Sequence, residues 1–340
     1  MKRPFIKACY TKKKKIIIHK KLYIMKAMVI SQFGKPDVFE LKEVEKPKPG
    51  PGEVLVSVKA SGTNPVDAKI RADGKWAQLD MPAILGYDVS GVVEETGPGV
   101  TDFKEGDEVY YTPQIFGNAK GSYAEYNVAP VSIIAHKPKN LTHEEAAAVP
   151  LAGGTAWESV IRRLKIQPGE TILIHGGAGG VGSFAVQMAI AAGARVIATA
   201  GPDNQETLMN LGADVALNYR QQDVIKETLN ATDGKGVNAV FDTAGGNIID
   251  SQEAARPFGR LATILGVEGQ LSSFSFKNLS LYGVFLTREQ KRLQEMSRVI
   301  EQGKVKPLID KILPLEQVNI AHERLDTGHG RGKIVLKVTD

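Results

Sequence analysis

The sequence predicts an α/β protein in which a parallel-sheet domain of alternating strands and helices interrupts a β-rich domain. Three observations predict it. Residues 25–150 read as short strands between turns, the chain from Thr171 onward alternates strand with helix, and the tail Lys333–Val338 is a strand run again. A chain that begins β, turns α/β and ends β makes the first domain discontinuous. The expected divisions are a basic arm over 1–24, a β-rich domain over 25–154 and 288–340, and the inserted domain over 155–287.

In the β-rich part, Val54, Val56 and Val58 alternate with Leu55, Ser57 and Lys59. Turns come from Pro49-Gly50-Pro51-Gly52, Gly97-Pro98-Gly99 and Gly106-Asp107, which suggests a small barrel or sandwich. A helical stretch through Glu144–Val149 and Ala156–Arg163 leads into the inserted domain. There the expected order is strand Thr171–Ile174, a glycine turn, a helix ended by Gly193, and strand Val196–Ala198. Strand Val215–Leu217, a helix around Asp223–Leu229, strand Ala239–Asp242, helix Ile248–Ala255 and strand Leu261–Leu265 follow. An apolar run over Leu281–Leu286 and a helix through Gln290–Gln302 precede the closing strand.

The glycine turn carries the functional signal. Gly177, Gly179 and Gly182 keep the G-x-G-x-x-G spacing between a strand and a helix, where a dinucleotide's pyrophosphate is held. A Cβ there would block either the tight turn or the phosphates' approach to the backbone. Amides at the helix start, including those of Gly180 and Val181, then face the phosphates with the helix dipole assisting. The alternative is a tight strand–helix turn without a ligand. At the end of the second strand, NAD sites place an acidic residue that holds the ribose hydroxyls. This chain has Thr199-Ala200-Gly201-Pro202, with Asp203 three residues late, so nothing there repels the 2′-phosphate of NADPH.

Composition narrows the partners. The formal charge of +5 is misleading, because residues 1–24 hold nine Lys or Arg and no acid. The remainder carries 34 basic and 38 acidic residues, a net of −4, and offers no basic field for nucleic acid. The head lacks the apolar core of a secretory signal and the Arg/Ser richness of a transit peptide. Met25 is the expected natural start, with the head an upstream extension or disordered arm. No apolar run approaches the ~20 residues of a membrane span. The single cysteine, Cys9, lies in the head. The body therefore has no disulfide, thiolate zinc site or cysteine nucleophile, which fits a reducing, cytoplasmic setting. Its histidines (His136, His143, His175, His322 and His329) have no metal spacing. No metal site is expected.

Further segments carry a family resemblance over nearly all of 25–340. They are Gly62–Asp67, Leu85–Val93, Gly121–Tyr126, Ala147–Ala156, His175–Gly182 with Gln187, Leu211–Asp214 and Gly332–Leu336. The chain resembles the zinc-independent quinone oxidoreductase (zeta-crystallin-like) group of the medium-chain dehydrogenase/reductase superfamily. The resemblance implies a GroES-like catalytic domain wrapped around a Rossmann domain, with the cofactor between them. It also implies a cysteine at Asn64 and a His-Glu pair at Tyr87-Asp88 in zinc-dependent relatives, both replaced here. Without a metal to polarise a carbonyl, the expected reaction is hydride transfer from NADPH to a quinone or conjugated carbonyl, whose own electron demand drives it.

The same resemblance sets the candidate residues. Asn64 is placed near the nicotinamide ribose and substrate, though Asn64-Pro65 could form only a turn, and Asp67 could brace it. Tyr87 and Tyr123 are candidates for orienting substrate or supplying a proton, with packing the equal alternative. Trp76 lies in a loop bordering the substrate cleft in relatives, with aromatic anchoring of that loop the equal alternative. Tyr219 matches a tyrosine lying by the 2′-phosphate and Arg220 could add a charge, although a lysine common in NADPH-specific relatives is replaced near Asn204-Gln205. Thr155, Leu265, Gly266, Phe285 and Lys333 match positions lining the pyrophosphate or nicotinamide, against core packing or a solvated lysine. Relatives pair the edge strand in the apolar run Leu279–Leu286, so a homodimer is expected. Two alternatives stand: an enone or alkenal double-bond reductase on the same scaffold, and a non-enzymatic crystallin-like or RNA-binding protein using the Lys-rich head.

Overall fold

Alternating apolar positions organise the first third of the chain, where Val54, Val56 and Val58 are fully buried in one core. A computed structural model describes residues 24–339; the expectations for the basic head lie outside the described residues, except that Ile24 already belongs to the first strand. Strands β1 (Ile24–Ile30), β2 (Phe39–Glu45), β3 (Glu53–Gly62), β4 (Ala83–Ile84), β5 (Val89–Thr96), β6 (Glu108–Tyr111), β7 (Tyr126–Pro130) and β8 (Ala135–His136) pair antiparallel. They divide into a three-stranded sheet, β2-β1-β4, and most of a seven-stranded one. Helix α1 (Pro65–Asp73) leaves the end of β3, and α2 (His143–Ala147) and α3 (Pro150–Trp157) lead onward. The helical path of α3 continues as a π-helix through Glu158–Arg163, so the expected boundary at 154/155 falls inside α3.

The inserted domain runs β9 (Thr171–His175), α4 (Gly180–Ala191), β10 (Arg195–Ala200), α5 (Gln205–Asn210), β11 (Val215–Asn218), α6 (Val224–Asn230), β12 (Val237–Asp242), α7 (Ile248–Ala254), β13 (Ala255–Thr263), α8 (Ser272–Lys277) and β14 (Ser280–Gly283). All six strands are parallel in the order β11-β10-β9-β12-β13-β14. The order reverses between β9 and β12, so a crevice opens outside their C-terminal ends at that switch point. Val196, Ile197 and Ala198 are fully buried because parallel strands are covered on both faces. The strand expected over Leu261–Leu265 ends at Thr263, leaving Leu265 and Gly266 in the loop above the sheet.

The chain then returns to the first domain through α9 (Gln290–Glu301), β15 (Ile309–Pro314), α10 (Val318–Asp326) and β16 (Lys333–Lys337). β16 pairs antiparallel with β3 and parallel with β15, completing the sheet β15-β16-β3-β5-β6-β8 with β7 also on β3. The closing strand is thus an inner strand of the domain that the chain began. Among the described residues, no helix is long and apolar enough to cross a membrane.

Candidate active site

The glycine turn follows β9 directly. Gly176 adopts φ +70°, a conformation that L side chains rarely take. A Cβ on Gly182 would lie 2.1 Å from the Gly176 carbonyl oxygen, and one on Gly177 would lie 2.8 Å from Leu208 and 2.9 Å from Ala198. These two glycines let the turn and helix close against the sheet. Gly179 differs: it caps α4, and its Cβ would meet only the Gly176 oxygen, at 3.2 Å. Its outer side is open. The amides of Gly180, Val181 and Gly182 open the first turn of α4, where no intrahelical acceptor exists, and so form an anion cradle.

The closing strand brings the β-rich domain to this cradle. The Gly332 N–H donates to the Ala178 carbonyl at 2.8 Å, and Gly332 bridges Gly179. Lys333 therefore passes beside Gly180, its Cδ 3.3 Å from where a Cβ would sit. Its ammonium donates to the Thr63 carbonyl at 2.8 Å, to the Asn64 side-chain oxygen, and to Asp88 Oδ2 at 3.2 Å. Asn64 Nδ2 donates to the same Asp88 oxygen at 2.9 Å, and the Leu151 N–H donates to Asp88 Oδ1 at 2.7 Å. Asn64 is the N-cap of α1, its N–H held by Asp67 Oδ2 at 2.9 Å, so Asn64-Pro65 starts a helix rather than forming only a turn. Burial raises the Asp88 carboxyl, against the lowering pull of Lys333 and Asn64. The cluster joins β3, α1, β5, α3 and β16 at the seam of the two domains.

Behind it lies a second buried cluster. Tyr123 donates its hydroxyl hydrogen to Asp67 Oδ2 at 2.7 Å, and His322 Nε2 lies 3.2 Å from the same hydroxyl. Burial pushes Asp67 up to about 7, and burial followed by the Arg71 charge pushes His322 down to about 3. Among the described residues, the Tyr87 hydroxyl has no hydrogen-bond partner. Burial, and then the Asp67 charge, raise both tyrosines well above their ordinary value. Of the roles expected for Tyr87 and Tyr123, the packing alternative describes their surroundings here. Both are fully buried, and the Tyr123 O–H is turned toward Asp67, away from solvent. Asn64 is also buried, its side chain held between Lys333 and Asp88.

The other expected residues sit around the same crevice. Thr199 is buried and its hydroxyl oxygen accepts from the Gly176 N–H at 3.2 Å. Gly201 lies next to Tyr219, whose hydroxyl is 3.9 Å from a Cβ built there. Tyr219 is half exposed, and Arg220 lies 5.8 Å from its ring centre with no ion pair among the described residues. Gln205 closes this end by donating to the Ala200 and Gly201 carbonyls at 3.0 and 3.1 Å. Thr155 is buried on α3, its hydroxyl donating to the Leu151 carbonyl at 2.7 Å. The Leu265 N–H donates to Thr263 Oγ1 at 3.1 Å, a Cβ on Gly266 would meet nothing, and Phe285 projects beyond β14. The roles of Asp88, Thr63 and His322 are not evident from sequence, because their partners lie far away along the chain.

Comparison with known proteins names the architecture. The descriptions "alcohol dehydrogenase GroES-like domain" and "zinc-binding dehydrogenase" match residues 50–139 and 211–336. The chain is 35% identical to the NADPH-dependent alkenal/one oxidoreductase of Arabidopsis thaliana, covering 92% of this chain and 79% of that one. It belongs to the medium-chain dehydrogenase/reductase family. It is also 30% identical to the quinone oxidoreductase of Homo sapiens, over 92% of this chain and 98% of the relative. A crystal structure described as an NAD-dependent alcohol dehydrogenase superposes with a TM-score of 0.87 at 36% identity, covering 93% of this chain and 100% of that one. As a member of this family the chain is an oxidoreductase that works with a nicotinamide cofactor. The GroES-like and Rossmann domains expected from the resemblance are both present.

Proposed function

We propose that the chain is an NADPH-dependent reductase that transfers hydride to quinones or conjugated carbonyl compounds without a metal. The observation that carries this is the Lys333 ammonium seated among Thr63, Asn64 and Asp88, where zinc-dependent relatives would gather metal ligands. The residues there do not fit zinc, which needs converging thiolate, imidazole or free carboxylate donors. The Asn64 oxygen and the Asp88 carboxylate are engaged by the ammonium, and the buried Tyr87 hydroxyl stays protonated. An acceptor on this scaffold must therefore bring its own electrophilicity.

The cradle of Gly179, Gly180, Val181 and Gly182 would hold the pyrophosphate, with Lys333 and Thr155 toward the nicotinamide. Gly201, Tyr219 and Arg220 would hold the adenosine 2′-phosphate. When bound, NADPH supplies a hydride from its dihydronicotinamide ring. The chain's residues bind, orient and exclude water. Asn64 fixes the Lys333 ammonium, and the apolar loops carrying Leu265 and Phe285 wall the crevice. Several features favour NADPH over NADH: Ala200 stands where an acid would repel phosphate, Tyr219 adjoins Gly201, and the Arg220 guanidinium over the Tyr219 ring has no ion pair among the described residues. The Arabidopsis relative is named for NADPH, whereas the crystal neighbour is named for NAD.

We further propose a homodimer built on β14, the edge of the six-stranded sheet, where Leu281 and Tyr282 are only half buried and Phe276 of α8 stands 89% exposed. The cysteine-free body fits a cytoplasmic setting. NADPH oxidation followed with a panel of quinones and enones, with and without chelator, tests the reading.

A further inference from the structure

Three of the exposed aromatic side chains lie together, outside both clusters and outside the core. Trp76, Phe116 and Phe285 are 48%, 39% and 62% exposed, although side chains of this size are usually well covered. They touch one another in a row. The Trp76 and Phe116 rings are 5.8 Å apart and edge-on at 68°, and the Phe116 and Phe285 rings are 5.7 Å apart and tilted at 38°.

The row spans the two domains. Trp76 sits in the one-turn helix after α1, and Phe116 is tied to it by the Gly117 N–H donating to the Ala77 carbonyl at 2.8 Å. Phe285 belongs to the parallel-sheet domain and follows β14, where the Val284 N–H donates to the Thr263 carbonyl at 2.8 Å. Its neighbours Val284 and Leu286 are buried, Leu286 packing over Gly154 beside Thr155, while Phe285 faces outward. The row thus stands at the C-terminal ends of β13 and β14, on the crevice edge where ligands of parallel sheets bind.

We infer that Trp76, Phe116 and Phe285 form an aromatic wall that selects a planar aromatic acceptor, a quinone or aryl-conjugated enone, over an aliphatic alkenal. This rests on the proposed reductase activity and narrows its substrate class. The physical reason is the quadrupole of each ring. A flat conjugated acceptor gains offset-stacked or edge contacts that a flexible alkyl chain lacks, worth ~0.5–1.5 kcal/mol per pair beyond area burial.

The test uses 9,10-phenanthrenequinone and trans-2-hexenal as acceptors with NADPH, in the wild type and in Trp76→Leu and Phe116→Leu. Leucine keeps apolar bulk and removes the ring. The expected result is a KM for the quinone raised about two- to tenfold in each variant, with kcat held within twofold. The kcat/KM for hexenal should stay within twofold. A quinone KM that does not move, or equal losses for both acceptors, would overturn the wall. A binding measurement separates this from failure of the reductase reading. The chain has two tryptophans, so Trp157→Phe leaves Trp76 as the reporter. Its fluorescence should be quenched saturably by phenanthrenequinone without cofactor, and more weakly when Phe116→Leu is added. Absence of saturable quenching overturns the wall even if quinones are reduced; saturable quenching without turnover upholds it while the reductase reading falls.

Discussion

Gly179→Val and Gly182→Ala separate the two tasks of the glycine turn. A Cβ at residue 182 would sit 2.1 Å from the Gly176 oxygen, more than an ångström inside normal contact, so the turn and α4 must separate. Overpacking of this kind costs about 1–3 kcal/mol, and the melting temperature of Gly182→Ala should fall clearly. A Cβ at residue 179 meets the same oxygen at 3.2 Å, and the backbone there is extended at φ −75°, ψ 178°, which valine accepts. Its structural cost is the loss of a tolerable N-cap, about 1 kcal/mol, or a few degrees of melting temperature. Its functional cost is larger, because two methyl groups then stand on the open side of the cradle. NADPH affinity should weaken well over tenfold, above ~1.4 kcal/mol. Thermal melts and NADPH titration by fluorescence give both numbers on the same samples. A folded Gly179→Val that binds NADPH like the wild type would refute the cradle and leave the turn merely structural.

Other expected outcomes follow from the same geometry. Arg220→Ala should raise the KM for NADPH while barely moving that for NADH, and Ala200→Asp should do the opposite. One charge-assisted contact is worth about 1.5–3 kcal/mol, so the ratio should shift ten- to a hundredfold; steady-state kinetics with both cofactors that leave the ratio flat would show the selecting residues misplaced. Asp67 is held protonated by burial up to about pH 7, against 3.8 when unfolded, so the native state binds the extra proton between those values and stability falls as pH rises through that window. Asp67→Asn keeps an acceptor for Tyr123 and removes the titration, so its stability relative to wild type should improve from pH 5 to pH 8 in urea melts; a constant difference would contradict the assignment. Light scattering at micromolar concentration should give twice the monomer mass of 36.7 kDa, and a monomeric mass would contradict the β14 interface.

The parallel-sheet domain was legible because its signals are local: β-branched runs, glycines at the turn and the helix-ending Gly193 lie within thirty residues. The closing strand over Lys333–Lys337 was legible for the same reason, as an apolar run. Two neighbouring elements went unread. β15 carries Asp310 and Lys311 at a sheet edge, so its pattern lacks clean alternation, and α10 is short and half polar. The cap at Asn64 had a readable signal, since an Asn followed by Pro65 and by Asp67 three positions on is a helix start. The Asn64–Asp88–Lys333 cluster had none, because Lys333 meets its partners across about 245–270 residues of chain. Phe116 was likewise invisible as part of a site until the fold set it between Trp76 and Phe285. Burial of Tyr87 and Tyr123 was not legible either: both share motifs with the site, but their side chains turn into the core beneath it.

Metal-free hydride transfer from NADPH to an electron-poor acceptor can be read from turnover and metal content together. NADPH oxidation is followed with a quinone and an enone before and after exhaustive chelation, with the metal content of the same sample determined. Turnover should be unchanged by chelation, with no stoichiometric zinc in the sample. Activity lost to the chelator and restored by Zn²⁺ would contradict metal-free transfer.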